Sequence, residues 1–201
     1  MNQVSRSKSL SSTQVITRVA VLSAIAFILM FFQFPLAVIA PPFIQLDVSD
    51  VPGLIAGFAM GPLAGIAVEF FKNILHMLLQ GTSTMGVGEL SNFIIGSTLV
   101  GVSSVIYRRK RTYKTAIIAL FAGTVCMASL AVLSNYFVVF PLYAKAMGLE
   151  NIVAAGTAIN GNITSLWTMM IYSILPFNLI KGLVMTIVTL LIYKKVSYLL
   201  H

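Results

Sequence analysis

The sequence predicts an all-α, polytopic integral membrane protein with six transmembrane helices and both termini in the cytoplasm. Three observations carry that reading. Hydrophobic residues make up 58% of the chain and charged residues only 9%, against about 25% charged in soluble domains. The apolar residues fall in long runs. A span needs roughly 20 of them to cross about 30 Å of hydrocarbon, so 201 residues have no room for a soluble catalytic or nucleotide-binding domain. The bases form three groups: Arg6, Lys8 and Arg18; Arg108, Arg109, Lys110, Arg111 and Lys114; and Lys194 and Lys195. Four spans between the first two groups and two between the last two put all three on one side. The preference of Lys and Arg for short cytoplasmic loops makes that side the inside. Asp47, Asp50, Glu89 and Glu150 then lie outside with one base, Lys145. The formal charge of +8 is thus a topology signal and not a nucleic-acid footprint. The chain is expected in the cell membrane as a multi-pass protein, residues 1–201 forming one membrane domain in contact with lipid.

Residues 1–14 are polar and serine-rich and read as a flexible cytoplasmic tail, with the six-helix bundle over 15–196. Val15 to Phe34 forms the first span. Its basic start and apolar middle also fit a signal peptide cut at Ala40, but Pro41 would follow the cut and the apolar run is long for a signal. Ala20, Ser23, Ala24 and Ala26 make a patch of small residues, with Ala20 and Ala24 at a spacing that lets another helix pack closely in lipid. Residues 35–50 form an outer loop, where Pro41 and Pro42 break any helix. Nothing apolar enough to hide Asp47 and Asp50 lies within two turns of them, and Asp50 is placed to cap the next helix.

That helix, Val51 to Met60, is short, and Gly61 and Pro62 make a turn. Gly53, Gly57, Gly61 and Gly65 fall at a strict spacing of four, which leaves one side as bare backbone for a close crossing. The third helix runs from Leu63 to Gln80, and 81–88 is an outer loop by composition. The fourth span covers Glu89 to Tyr107 and the fifth Thr115 to Phe140. Residues 141–165, beginning at Pro141, form a longer outer segment. Trp167 to Tyr193 is the sixth span, with Trp167, Tyr172, Tyr193 and Tyr198 as an interfacial aromatic belt. Cys126, the single cysteine, lies in an apolar run and is expected as a small core residue.

Ionisable groups inside a bilayer cost about 2.5–3.5 kcal/mol each on insertion scales, so each asks for a reason. Glu69, Lys72, Asn73 and His76 share one face of the third helix, and Glu69 and Lys72 are spaced to neutralise each other. Asn178 and Lys181 share a face of the sixth span just after Pro176. Lys181 has no acid within a turn of its own helix, so its partner comes from another helix or from a ligand. Asn92 and Asn135 lie in apolar surroundings near outer ends. Three amides and one amine offer donors and acceptors together. They suit a flat heterocycle edged with carbonyls and ring nitrogens, and they equally suit hydrogen bonding between helices.

The order of LDVSDVP, GPLAG with KN following, LSNYFVVFPLY and LPFNLIKG resembles the riboflavin-specific substrate-binding subunits of energy-coupling factor (ECF) transporters, over about residues 15–196. The resemblance implies six helices, cytoplasmic termini and a vitamin pocket near the outer face. It also implies a subunit that is neither a pump nor an enzyme. Such a subunit associates with a membrane scaffold subunit and two cytoplasmic ATPases, and topples in the membrane to release its ligand inside. Carried over by motif, Asn135, Asn178 and Lys181 hydrogen-bond the isoalloxazine ring of riboflavin. Gln45, Leu46 and Asp47 belong to a loop that closes over the pocket, Asn92 is a further contact, and the patch of Ala20, Ser23 and Ala24 meets the scaffold. Phe43, Tyr136, Phe137, Trp167 and Phe177 are candidates to line the ring, since small-ligand pockets are mostly apolar. No metal and no resident cofactor is implied, riboflavin being cargo. Residues 145–165 carry no alignable motif.

Three rivals remain to be weighed. An intramembrane enzyme built on Glu69 and His76 lacks the converging His residues or paired acids that such chemistry uses, the other histidine, His201, being the last residue. A self-sufficient secondary transporter commonly shows paired repeats, and none is present in the sequence. A pocket for another vitamin, or for FMN or FAD, stays open.

Overall fold

Helix α1 (Ser12–Met30) begins at a capping box, in which the Ser11 hydroxyl accepts from the Gln14 N–H and the Gln14 side chain accepts from the Ser11 N–H. The computed structural model describes residues 11–82 and 86–200, with side chains at all of these except 146, 147 and 194–200. Arg6 and Lys8 in the polar tail, part of the loop 81–88, the side chains of Lys194, Lys195 and Tyr198, and His201 lie outside the described residues. Helix α1 ends at Met30, short of the expected Phe34. The chain then forms a strap, 31–49, pinned by two-residue strands absent from the all-α expectation: β1 (Phe34–Pro35) runs antiparallel to β2 (Gln45–Leu46), with Phe34 opposite Leu46.

Helix α2 (Asp50–Met60) has 11 residues and so rises only about 16 Å, roughly half a bilayer. Its last turn ends at Gly61, whose φ of 110° favours glycine. A Cβ there would sit 3.0 Å from Nη1 of Arg108. The far end of α2 therefore lies level with the basic cluster, and its start lies inside the bundle. This is why Ser49 and Asp50 have no exposed surface and Asp47 is buried, contrary to the expectation that nothing would hide the two acids. Helix α3 (Pro62–Gln80) carries Pro62 in its first turn, where a missing N–H costs no hydrogen bond.

Helices α4 (Val87–Arg109) and α5 (Tyr113–Ser134) follow, separated by the short basic turn. Five segments are long and apolar enough to cross a membrane: Ser12–Met30, Pro62–Gln80, Val87–Arg109, a continuous Tyr113–Lys145 and Leu166–Tyr193, with α2 as a shorter apolar helix. The early part of α1 lies beside Met60 and Leu63, and Tyr193 meets Tyr107. Both ends of the described bundle thus sit at the Arg108 end.

The four-residue glycine spacing builds the crossing of α2 over α3. A Cβ on Gly65 would stand 2.7 Å from the Gly53 carbonyl oxygen and 3.0 Å from the Gly57 Cα. Backbone meets backbone, and no side-chain rotation relieves an added methyl. Gly65→Ala is expected to lower stability by about 1–3 kcal/mol, the usual cost of overpacking, read as an earlier thermal transition of the detergent-solubilised protein. An unchanged transition would show that the crossing tolerates separation.

Pro141 and Pro176 do not end helices here. Each follows a wide π turn, Asn135–Val139 and Met170–Ile174, that lets the helix pass the proline. Proline lacks an N–H, and its ring clashes with the carbonyl four residues back, so an extra residue in that turn keeps the helix running. Helix α6 (Phe140–Met147) thus extends the fifth span where an outer loop was expected. Gly148, at φ 82°, turns the chain into α7 (Leu149–Thr157), and α8 (Leu166–Met169) leads through the second π turn into α9 (Leu175–Leu200). The segment 145–165, without a recognisable motif, contains this short helix, anchored by buried Ile152 and Ile163.

Two further expectations change. Cys126 is exposed, on the outward face of α5 with Val125. Hydrophobicity alone does not distinguish a lipid-facing position from a core one. Tyr193 is buried, its hydroxyl 2.8 Å from that of Tyr107, whose ring stacks on Phe58 with centroids 4.2 Å apart. It closes the core at the basic end, while Trp167 and Tyr172 are exposed as the belt reading expects.

Candidate functional site

A cavity of about 310 Å³ opens at the end of the bundle away from Arg108, within the roughly 300–1,000 Å³ typical of small-ligand sites. The strap covers it with Phe43, Gln45 and Asp47. Helices α3 and α4 supply Asn73, His76, Glu89 and Asn92, and the fifth and last spans supply Asn135, Phe140, Tyr143, Phe177, Asn178 and Lys181.

The two π turns set the amides. Asn135 opens the first, and Asn178 stands four residues after Ile174, which closes the second. Each Nδ2 donates to the carbonyl one turn back, Asn135 to Ala131 and Asn178 to Ile174, both at 2.8 Å. With one N–H of each committed to backbone, each amide offers a ligand its Oδ1 and the second N–H of Nδ2.

Below them lies a buried charge network. Lys181 Nζ is 3.2 Å from Asn92 Oδ1, 3.3 Å from Asp50 Oδ2 and 3.7 Å from Asp47 Oδ2. Lys72 Nζ pairs with Asp50 Oδ1, lies 2.6 Å from Glu69 Oε2, and donates to Ser49 Oγ at 2.9 Å. Glu69, Lys72 and Asp50 are wholly buried, so each ammonium must be matched by acids within reach. Glycines make room for them: a Cβ on Gly53 would fall 3.3 Å from Glu69 Cδ, and one on Gly96 would fall 3.1 Å from Asp50 Oδ1. Asn73 continues the network, its Nδ2 donating to the Glu69 carbonyl at 2.8 Å and its Oδ1 accepting from Asn92 at 3.2 Å.

A short α2 begun inside the bundle, two proline-driven wide turns and a polar cavity capped by a strap form a distinctive combination. A profile described as ECF transporter, substrate-specific component, matches residues 14–193. This chain belongs to that family. Such a substrate-specific component is a multi-pass protein of the cell membrane and a transporter subunit, not a member of an enzyme family. The chain is 36% identical over 194 residues to a Staphylococcus aureus protein named riboflavin transporter RibU, covering 96% of this chain and 95% of that one. It is also 36% identical over 180 residues to Bacillus subtilis riboflavin transporter FmnP, covering 89% and 90%. Among solved structures it resembles one described as the S component of a bacterial ECF transporter, with a TM-score of 0.75, 34% identity and coverage of 94% of this chain and 99% of that one.

In this substrate-specific component, Asn92, Asn135, Asn178, Lys181, Gln45 and Asp47 come together on one cavity. Leu46 does not join them. Strand alternation turns it away from Gln45, and it is buried with Ala40 and Phe177 as an anchor for the strap. Asp50 makes no cap hydrogen bond, Ser49 being the residue before the helix, because both of its oxygens face lysines. Phe43 and Phe177 line the cavity, but Phe137 and Trp167 are exposed and Tyr136 packs edge-on against Trp167 at 5.7 Å. Phe140 and Tyr143 take their place. They lie five and eight residues after Asn135 because the wide turn adds one residue to the usual four and seven. On the last span Ile174, Phe177, Asn178 and Lys181 keep the ordinary helical spacing, a signal legible in the sequence. Ala20 and Ala24 are exposed on α1, whereas Ser23 is buried against the bundle and donates to the Val19 carbonyl at 2.7 Å. The small-residue patch therefore has an inward member, fixed by that hydrogen bond.

Proposed function

We propose that this chain is the riboflavin-binding membrane subunit of an ECF-type ABC transporter, capturing the vitamin outside the cell and delivering it inward when coupled to a scaffold subunit and two ATPases. The observation that carries the substrate is the convergence of Lys181, Asn135 and Asn178 on one cavity. The pyrimidine edge of isoalloxazine presents an N–H donor between two carbonyl acceptors, and an ammonium with two side-chain amides, each keeping an oxygen and one free N–H, can supply the two donors and the acceptor that complement it. Phe43, Phe140 and Phe177 supply apolar surface for the fused rings, and the relatives named riboflavin transporters point to the same ligand.

In this reading the Arg108 end faces the cytoplasm, following the distribution of short-loop bases, and the cavity faces outward as part of one membrane domain. Gln45 and Asp47 close over the ligand, Asn92 holds the Lys181 amine, and the exposed Ala20 and Ala24 line the face of α1 that the scaffold approaches. ATP hydrolysis belongs to the partner subunits.

The test is an absorption spectrum of the detergent-purified protein followed by a riboflavin titration with fluorescence detection. Saturable quenching at about one ligand per chain is expected. Asn178→Ala should weaken binding about tenfold, the loss of one buried hydrogen bond. A colourless protein that leaves riboflavin fluorescence unchanged would move the substrate to another vitamin.

A further inference from the structure

The strap that covers the cavity has two apolar faces, and the bundle accounts for only one. Its inner face is the cluster of Leu36, Ile39, Ala40 and Leu46 packed on Phe177. On the other face Phe31, Phe32, Phe34 and Val38 are exposed, Phe32 at 68% and Val38 at 89%. From Val19 to Leu46 the chain carries no ionisable side chain, and the strap's two glutamines, Gln33 and Gln45, line the cavity. The first charge, on Asp47, lies 3.7 Å from Lys181 inside the bundle. A loop made for water is rich in polar and turn residues, whereas this outer face offers water only aromatic rings and aliphatic groups. A contiguous apolar patch of that kind marks a surface with a partner.

The patch continues a surface that lipid already covers. Val21, Ile25 and Ile28 are exposed on α1 at spacings of four and three, which makes them one stripe of the helix. Phe32 follows at the next spacing of four, and the stripe runs past the end of α1 into Phe34 and Val38. Length points the same way. The apolar part of α1, Val15 to Met30, rises about 22 Å, short of the roughly 30 Å of hydrocarbon. The strap therefore begins where acyl chains meet headgroups and not above them. Its backbone suits that level, where an unpaired N–H is costly. Phe31 and Phe32 donate back to the carbonyls of Ile28 and Leu29, Ile39 and Ala40 both donate to that of Leu36, and Ile44 donates to that of Pro41. Pro35, Pro41 and Pro42 have no N–H to satisfy.

We infer that the outer face of the strap, formed by Phe31, Phe32, Phe34 and Val38, is seated in lipid at the headgroup–acyl boundary. The cover of the cavity is then held between the bundle and the bilayer. Only the name of the leaflet, the outer one, rests on the orientation proposed above. An apolar face entering the boundary by about 5–10 Å is the ordinary mode of interfacial segments. Lifting the strap from the cavity withdraws Phe34 and Val38 from lipid, so the bilayer opposes opening just as the packing of Leu46 on Phe177 does.

The test places a nitroxide label at Val38→Cys and, in a second protein, at Phe34→Cys, each with Cys126→Ala so that one thiol is labelled. Both side chains are exposed, so the substitutions disturb little packing. The full chain is reconstituted in phosphatidylcholine liposomes, and the label's collisions are measured with oxygen, which concentrates in lipid, and with a Ni(II) chelate, which stays in water. Labels at Val21→Cys on the lipid-facing stripe and at Asn162→Cys on an exposed turn set the two limits. The ratio of oxygen to nickel collisions at Val38 and Phe34 should stand at least about fivefold above that at Asn162 and approach that at Val21. Nickel collisions as frequent as at Asn162 would place the strap in water and overturn the inference. Few collisions with either reagent would show that protein covers the face, and spectral broadening between labels would make that protein a second copy; either result overturns it too. The measurement needs no ligand, so failure to bind riboflavin would remove the proposed function and leave this inference standing.

Discussion

Lys181→Ala is expected to weaken riboflavin binding by about 100-fold, the upper range for removing a hydrogen bond from a charged donor in a buried site. Two effects add. The ligand loses the donor aimed at its carbonyl edge, and Asp47 on the strap loses the ammonium 3.7 Å away that draws the strap over the cavity. The fold should survive, because Asp50 keeps its pair with Lys72. Lys181→Arg should rescue little, since a planar fork does not fill the place of a point donor between Asn92, Asp47 and Asp50. The check is a fluorescence titration beside a size-exclusion profile. A monodisperse Lys181→Ala protein with unchanged affinity would take the amine out of the binding site.

Lys72→Met should act in the opposite way, on stability and not on affinity. Lys72 is wholly buried between Asp50 and Glu69. Removing it leaves two carboxylates in the interior with only Lys181 near, 3.3 Å from Asp50. Breaking a buried pair from one side costs about 3–5 kcal/mol, a large part of the total for a small bundle. Extracted yield and thermal transition should both fall steeply. The fraction that folds should bind riboflavin with an affinity changed only a few-fold, because Lys72 does not line the cavity. Adding Glu69→Gln to Lys72→Met should restore part of the loss by removing one of the stranded charges. A Lys72→Met protein of normal stability but weak binding would place Lys72 in the recognition machinery.

These two lysines look alike in the sequence, each an uncompensated cost in an apolar helix, yet they differ in use. Lys72 has an acid on its own helix at a spacing of three, and that local pairing was readable. Lys181 has none, so a partner from elsewhere was readable too, but not its identity as Asp47 and Asp50. Those acids stood in what looked like an outer loop. Only the 11-residue length of α2 and the position of its end beside Arg108 carry them into the bundle. The aromatic lining was misjudged at Tyr136, Phe137 and Trp167 for a related reason: a π turn shifts every later residue around the helix, and no residue type announces it except the proline that follows.

By itself the sequence determined the class of the protein, the chain positions of its long apolar helices, the glycine crossing and most of the amides and charges that meet at one polar site. Hydrophobic run length, proline chemistry and four-residue periodicity act over one or two turns and need no partner to be read. The tertiary structure decided which side each residue faces: Leu46 anchoring the strap, Ser23 and Tyr193 turned inward, Cys126 turned outward, and Glu89 with His76 on the cavity wall. In a membrane chain almost every surface is apolar, so composition does not separate a face packed on protein from one packed on lipid. That choice is made only when the helices meet.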